Sequence, residues 1–539
     1  MTAKPVAASA ADLLPVARAR TRLADALALA AALLVFALFA SQMAPFVPDD
    51  SYITFRYADH LAAGHGLRFN VDEPPVEGYS NFLWIVLLAG AARTGVATET
   101  AAVGLGVVAG AAGVVLLWWL LRRRGYSGLH LGLPVALLAA SAPLVLYAVS
   151  GMETALFAAL LLALALALDG LLARPAPARG LTLGLIGVLL ALTRPEGALA
   201  FPVIAVCAVL FEWRAGPGRR ALGRALLVGG LLFAVLLAAY HIARIAYFGA
   251  FWPTPFLSKG VVDRSLVDAG IANLRQFFLR QSNYYAPLVY YYLALGVPAL
   301  AGVALAERRA RTLEWTAFVL ALVYAAFYFT FVDWMPGMRY YAPLVGLLPI
   351  PLALLGPALR GNATGRRADA GYALLGLTIG IVSLFSLAVL RLDSQQLQAA
   401  TQESQVALGR WLRAAVAPGS TLAMSDVGAT PYFSGLRTID INPESLTDRH
   451  IAENGWSPEY FFAVDPDVVV FTAFSLTEPD FYGQHEALYA LPEFQARYER
   501  IGIVRNDWYQ DRSYWVFVRR GAMPSAEQMA AFPPGISKR

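Results

Sequence analysis

The chain has 539 residues, 58% of them hydrophobic and 15% charged, with a formal net charge of +5 and a mean hydropathy of +0.55. Soluble globular proteins carry about 25% charged residues, so the composition excludes an ordinary soluble enzyme and predicts a polytopic α-helical membrane protein. The single cysteine, Cys207, excludes an intrachain disulfide and a cysteine-based metal site, and the six histidines show no metal-ligand spacing.

Lys4, Arg18, Arg20 and Arg22 precede a first apolar run, 23–43. That run is longer than the roughly 7–15 residues of a signal-peptide core, so it is read as a retained helix. Further apolar cores follow at 101–121, 131–149, 152–172, 181–193, 197–212, 225–248, 286–306, 312–331, 340–358 and 372–391. They predict about eleven spans. The basic loops (Arg122–Arg124, Arg174 with Arg179, Arg214 to Arg224, Arg308 to Arg311, Arg360 to Arg367) all fall on one side, which the positive-inside rule makes cytoplasmic. They act as orientation signals and call for no nucleic-acid partner. The segment 79–95, "YSNFLWIVLLAGAARTG", is apolar, but a crossing there would invert every later basic loop. It is therefore predicted to be interfacial or re-entrant, with the N-terminus inside the cell. From Ser394 a helical lead-in gives way to short β-type runs ("STLAMSD", "RTIDI", "DVVVF", "YWVFVRR") separated by helical patterns such as "EALYALPEFQARYER". These predict a transmembrane domain, 1–391, and a C-terminal extracytoplasmic α/β domain, 392–539.

The non-cytoplasmic face collects Asp49, Asp50, Glu77, Glu153, Glu196 and Asp333, with Arg56, Arg194, Lys259 and Arg339. Ionisable groups at membrane depth are costly and tend to face cavities or one another. The pair Asp49–Asp50 suits a general base whose neighbour keeps its pKa high; two acids opening a helix are the structural alternative. Tyr52, Phe55, Arg56, Asp59 and His60 fit one amphipathic helix ended by Gly64. Lys259, Arg194 and Arg339 suit a phosphate, while interfacial cations also snorkel or pair with nearby acids. Trp334, Tyr340 and Tyr341 suit a sugar or an isoprenoid, and equally an aromatic belt.

"DDSYITFRYADHLAAGHGLRFN…VEGYSNFLW" (49–84) resembles the first extracytoplasmic loop of the C-type (GT-C) membrane glycosyltransferases that use polyprenyl-phosphate sugars. The resemblance is nearest to the bacterial, mycobacterial-type arabinofuranosyltransferase branch. "SGMETALFA" (150–158), "TRPEGAL" (193–199), "WPTPFLSKG" (252–260), "DWMPGMRYYAP" (333–343) and "SDVGATPYFSG" (425–435) follow in order. "WPTPFLSKG" departs from that branch, which has Asn after the first Pro and aromatics before the Lys. The resemblance implies a GT-C-like fold and an inverting transfer of a sugar, with D-arabinofuranose expected, from a polyprenyl-phosphate donor to an acceptor hydroxyl on a glycan or glycoprotein.

In that reading Asp49 is the preferred base and Asp50 its assistant, while Lys259, Arg194 and Arg339 meet the departing phosphate. Arg56, His60, Glu77, Tyr79, Asn81, Glu153, Glu196, Asp333, Trp334, Tyr340 and Asp426 are candidates for sugar or acceptor contact. No cofactor is required, although a carboxylate pair also suits a divalent cation. The expected location is the bacterial inner membrane. A mannosyl or amino-sugar transferase, a lipid-linked sugar flippase and an envelope scaffold are the alternatives; gathering the ionisable groups on one side favours an enzyme over a flippase.

Overall fold

The computed structural model describes residues 10–43, 46–212, 218–255, 286–305, 312–328, 335–360, 365–442, 445–481, 483–506, 512–533 and 536–537. The first ten helices are α1 (Ala10–Met43), α2 (Asp49–Ala62), α3 (Phe82–Ala92), α4 (Thr98–Arg123), α5 (Leu129–Ala139), α6 (Ala142–Ala148), α7 (Thr154–Ala173), α8 (Pro177–Thr193), α9 (Ala200–Glu212) and α10 (Arg219–Phe248). The helices Ala286–Leu305, Thr312–Tyr328, Pro349–Arg360 and Gly365–Thr401 complete the bundle.

All eleven apolar cores coincide with helix. Among the described residues, six helices are long and apolar enough to cross a bilayer, and α5 with α6, joined at a 51° bend, makes a seventh. The remaining four cores form shorter apolar helices, so helix length does not by itself meet all eleven expected crossings. The chain is a multi-pass membrane protein. Helix α3, within the segment predicted not to cross, has 11 residues; it rises about 16 Å, half of a hydrocarbon core of about 30 Å.

Ion pairs group the helix ends as the charge pattern did. Arg122 meets Asp25 at 3.2 Å, Arg123 meets Asp169 at 3.3 Å and Arg124 meets Glu314 at 2.8 Å. These contacts join the basic end of α4 to α1, α7 and Thr312–Tyr328. The opposite end of the bundle carries α2, the loop before α7, the turn after α8 and the C-terminal sheet.

The long helix does not stop where the composition changes. It continues from Gly365 to Ala415, interrupted by a π-helical turn at Gln402–Val406. Residue 391 therefore falls inside a helix, because polarity changes where a helix leaves the bilayer and not where it ends. The strands β1 (Thr421–Met424), β2 (Arg437–Asp440), β3 (Val468–Ala473), β4 (Tyr498–Arg505), β5 (Ser513–Arg519) and β6 (Ile536–Ser537) form one sheet in the order β2-β1-β3-β5-β4-β6. The β2-β1-β3 part is parallel and the rest antiparallel. The pleat sends alternate residues to opposite faces. Leu422, Met424, Val468 and Val470 pack towards α2 and α3, whereas Ala423, Val469 and Phe471 pack under Phe461 and Phe494. The expected strands are all present. "YERIGIVR", whose first three residues were read as the end of a helix, is β4; the helix stops at Arg497.

The sheet is pinned to the first loop of the bundle. Arg56 donates to the carbonyls of Pro431 (2.7 Å) and Leu436 (2.8 Å), and Asn70 exchanges hydrogen bonds with Thr438. Thr254 donates to the Leu446 carbonyl, and Arg437 pairs with Glu73. At the contact between α2 and the loop after β1, a side chain on Gly428 would stand 2.5 Å from the Asp49 carboxylate carbon. Gly428→Ala is therefore expected to destabilise this junction by about 1–3 kcal/mol. Thermal unfolding and limited proteolysis of the purified protein measure it, and a wild-type profile would refute the contact.

Candidate active site

Two cavities carry most of the candidate residues, and of these the second is the one lined by residues of the sheet region. The first, of about 530 Å3, is lined by Glu77, Tyr79, Glu153, Arg194, Glu196, Tyr240, His241, Arg244, Tyr328, Arg339 and Tyr340, with apolar residues of α8 and α10. The second, of about 340 Å3, is lined by Asp49, Asp50, Thr401, Gln405, Asp426, Asn442, Thr472, Arg512 and Tyr514, among others.

The first cavity is organised by buried charges. Glu153, at the start of α7, accepts from Arg339 at 2.9 Å and from Asn81 at 3.0 Å, and lies 3.8 Å from Arg194. Arg194 pairs with Glu196 at 2.6 Å, and Glu196 also accepts from the Tyr328 hydroxyl. The rings of Phe157, Tyr328 and Tyr340 surround the Arg194 guanidinium at 5.4–5.6 Å. The local backbone explains how these groups meet. Gly151 takes φ +72°, where a side chain would be strained and would meet Phe55, and its carbonyl accepts from Trp84. Gly337 and Met338 are both left-handed, φ 77° and 54°, and the turn they make carries Arg339 inward. Among the described residues, Arg194 Nη1 and Arg339 Nε are buried without a hydrogen-bond partner.

At the other end of this cavity Glu77 pairs with Arg244 at 2.6 Å. Arg244 also donates to the Phe251 carbonyl, and Thr254 donates to the Glu77 carbonyl. This pair therefore holds the start of the "WPTPFLSKG" segment. Arg244, Tyr240 and His241 are absent from the sequence expectations, because they sit within the apolar run 225–248 with no motif to mark them.

Both members of the acidic pair line the second cavity. Asp49 Oδ1 accepts the Ala429 N–H at 2.7 Å. Burial, then the charge of Asp426, push its carboxyl well above the usual carboxylate range, with Asp50 adding to the rise; the Ala429 hydrogen bond and Arg512 oppose it. Asp50 lines the second cavity, and its charge also acts on Arg339, which lines the first. Asp426 accepts from Arg512 at 2.5 Å and from the Tyr514 hydroxyl at 2.8 Å.

Among the candidates, Glu77, Tyr79, Glu153, Arg194, Glu196, Arg339 and Tyr340 come together in the first cavity and Asp49, Asp50 and Asp426 in the second. Asn81 joins them through Glu153. Arg56 and His60 line neither cavity, contrary to the expectation of sugar contact. Arg56 is consumed by four oxygen acceptors and stacks on Phe69, and His60 Nδ1 bonds the Arg68 carbonyl. Lys259, Asp333 and Trp334 lie outside the described residues. Among those described, no group of three or more acidic, histidine or cysteine side chains could hold a metal.

The fold is similar to that of several solved membrane proteins. ArnT from Cupriavidus metallidurans bound to undecaprenyl phosphate aligns with a TM-score of 0.59 at 13% identity, covering 93% of this chain and 99% of that one. The Archaeoglobus fulgidus oligosaccharyltransferase AglB, in complex with an inhibitory peptide and a dolichol-phosphate, gives 0.53 at 11% identity over 94% and 77%. The arabinofuranosyltransferase AftD from Mycobacteria gives 0.50 at 16% identity over 91% of this chain and 40% of that one. The chain thus has the GT-C fold. A family described as a domain of unknown function (DUF8728) matches residues 391–518. A comparison with curated proteins found no match.

Two measurements test this geometry. Glu153→Gln leaves two buried guanidiniums without their shared anion and is expected to cost about 3–5 kcal/mol, read as a lowered Tm. Asp440, buried at the end of β2, accepts from the Leu446 and Thr447 amides, and burial raises its carboxyl from 3.8 to about 7. The folded state therefore holds this proton more tightly than the unfolded one. Stability should fall as pH rises from about 4 to about 7 and then level off. Asp440→Asn should flatten that slope in a Tm-against-pH series; an unchanged slope would assign it to other groups.

Proposed function

We propose that the chain is an inverting glycosyltransferase that moves a sugar, D-arabinofuranose in the first instance, from a polyprenyl-phosphate donor to an acceptor hydroxyl on the extracytoplasmic face. The observation that carries this reading is the first cavity itself, lined by the buried guanidiniums of Arg194 and Arg339, whose Nη1 and Nε have no hydrogen-bond partner among the described residues. Lipid phosphates in the ArnT and AglB structures support the donor class. The motif resemblance and the likeness to AftD support the pentose.

In this reading the donor phosphate lies in the first cavity, where Arg194 Nη1 and Arg339 Nε offer unused donors; the role of Lys259, which lies outside the described residues, rests on the motif resemblance alone. The phosphate leaves with the C–O bonding electrons, and these cations stabilise the charge that develops. Asp50 takes the proton of the acceptor hydroxyl, which attacks the anomeric carbon from the face opposite the phosphate. Asp49, tied to the Ala429 amide and covered by Gly428, acts as the anchored neighbour that positions Asp50; this exchanges the two roles expected from the sequence.

Purified protein in lipid nanodiscs, given radiolabelled polyprenyl-phosphoryl arabinofuranose and an arabinan acceptor, tests the assignment. Asp50→Asn is expected to lower kcat by about 10²–10⁴-fold, and Asp49→Asn by less. Wild-type rates in both variants would refute the base. Transfer from a mannosyl or amino-sugar donor alone would keep the class and overturn the pentose.

A further inference from the structure

We propose that the Glu77–Arg244 end of the first cavity is the donor-sugar subsite, and that it selects an uncharged sugar over an amino sugar. This rests on the glycosyltransferase reading, in which the donor phosphate lies at the Arg194 and Arg339 end of the same cavity. The two ends are neighbours. Tyr79 stands two residues before Asn81, whose amide donates to Glu153 beside Arg339. Two residues span at most about 7 Å of chain.

The hydroxyl of Tyr79 points to a ligand. Tyr79 lines the cavity and is 4% exposed, and its hydroxyl is buried with no hydrogen-bond partner among the described residues. Its ring is held edge-on by Tyr57 at 4.9 Å and by Phe248 at 6.2 Å. A buried hydroxyl left unpaired is costly, and a sugar hydroxyl would satisfy it. Tyr240 and His241, on the turn of α10 before Arg244, line the same end and can both donate and accept.

The ion pair sets the selectivity. Arg244 meets Glu77 Oε2 through Nη2 at 2.6 Å and Nε at 2.7 Å, with both side chains 5% exposed. Its Nη1 donates to the Phe251 carbonyl. The carboxylate is thus already neutralised by a cation of the protein. The ammonium of an amino sugar would be a second buried cation beside Arg244. Taking Glu77 away to receive it would leave the guanidinium uncompensated. Sugar hydroxyls bring no charge and meet hydroxyl and carboxylate oxygens that can accept from them.

Binding to the full-length protein in nanodiscs, without acceptor, tests this with three probes: polyprenyl-phosphoryl arabinofuranose, the same carrier bearing an amino-pentose, and bare polyprenyl phosphate. Wild type should bind the neutral donor at least about tenfold more tightly than the amino donor. Tyr79→Phe, which removes a hydroxyl without a protein partner, should keep the Tm. It should weaken the neutral donor about three- to tenfold and leave the bare carrier unchanged. Arg244→Gln releases Glu77 and should shift the preference towards the amino donor by about tenfold; if this variant does not fold, the other two comparisons decide. Equal or tighter binding of the amino donor by wild type would overturn the subsite. So would wild-type affinity in Tyr79→Phe, or an equal loss for the bare carrier. A preference for the neutral donor in a protein that transfers neither sugar would keep the subsite and overturn the enzymatic reading.

Discussion

One buried carboxylate organises the membrane-facing half of the site. Glu153 sits at the head of α7, 2% exposed, with Arg339 and Asn81 hydrogen-bonded to it and Arg194 close by. Each partner comes from a different part of the chain: the left-handed turn after Gly337, the start of α3 and the end of α8. A buried charge in a low-dielectric setting must be compensated, and here compensation requires three segments distant in sequence to converge. The cavity walls follow from that convergence. Arg194 is drawn into an aromatic enclosure and pairs with Glu196, which in turn holds the Tyr328 hydroxyl.

The sheet completes what the bundle begins. It reaches α2 through Arg56, α3's approach through Asn70 and Glu73, and the segment after α10 through Thr254. Arg56 thus serves as a strut between layers, with its guanidinium spent on backbone carbonyls. The same junction packs Asp49 against Gly428 and Ala429. Asp49 is held by the sheet's loop, and both acids line the second cavity.

The two cavities differ in chemistry. The first places guanidiniums and aromatic rings beside the apolar faces of α8 and α10, an environment that tolerates a lipid and an anion together. The second offers carboxylates, amides and hydroxyls beside the sheet. A continuous helix from Gly365 to Ala415 links the levels, carrying the chain from the apolar bundle to the wall of the polar cavity.

Much of this architecture was legible in residue order. Mean hydropathy and the spacing of apolar runs determined the helical bundle, because the bilayer demands that backbone polar groups be satisfied within helices. The basic loops determined which helix ends share a side, and the ion pairs Arg122–Asp25 and Arg124–Glu314 follow that grouping. Alternating apolar residues determined β1, β2, β3 and β5; β4 escaped because Glu499 and Arg500 break its pattern at the start. What the tertiary structure alone decided is pairing. Nothing local in "DD" distinguishes Asp49 from Asp50, nothing in "FRYADH" marks Arg56 as a strut, and nothing at the end of α10 marks Arg244 as the partner of Glu77. These outcomes depend on contacts between residues from 167 to 380 positions apart, and long-range burial, unlike periodicity, leaves no signature along the chain.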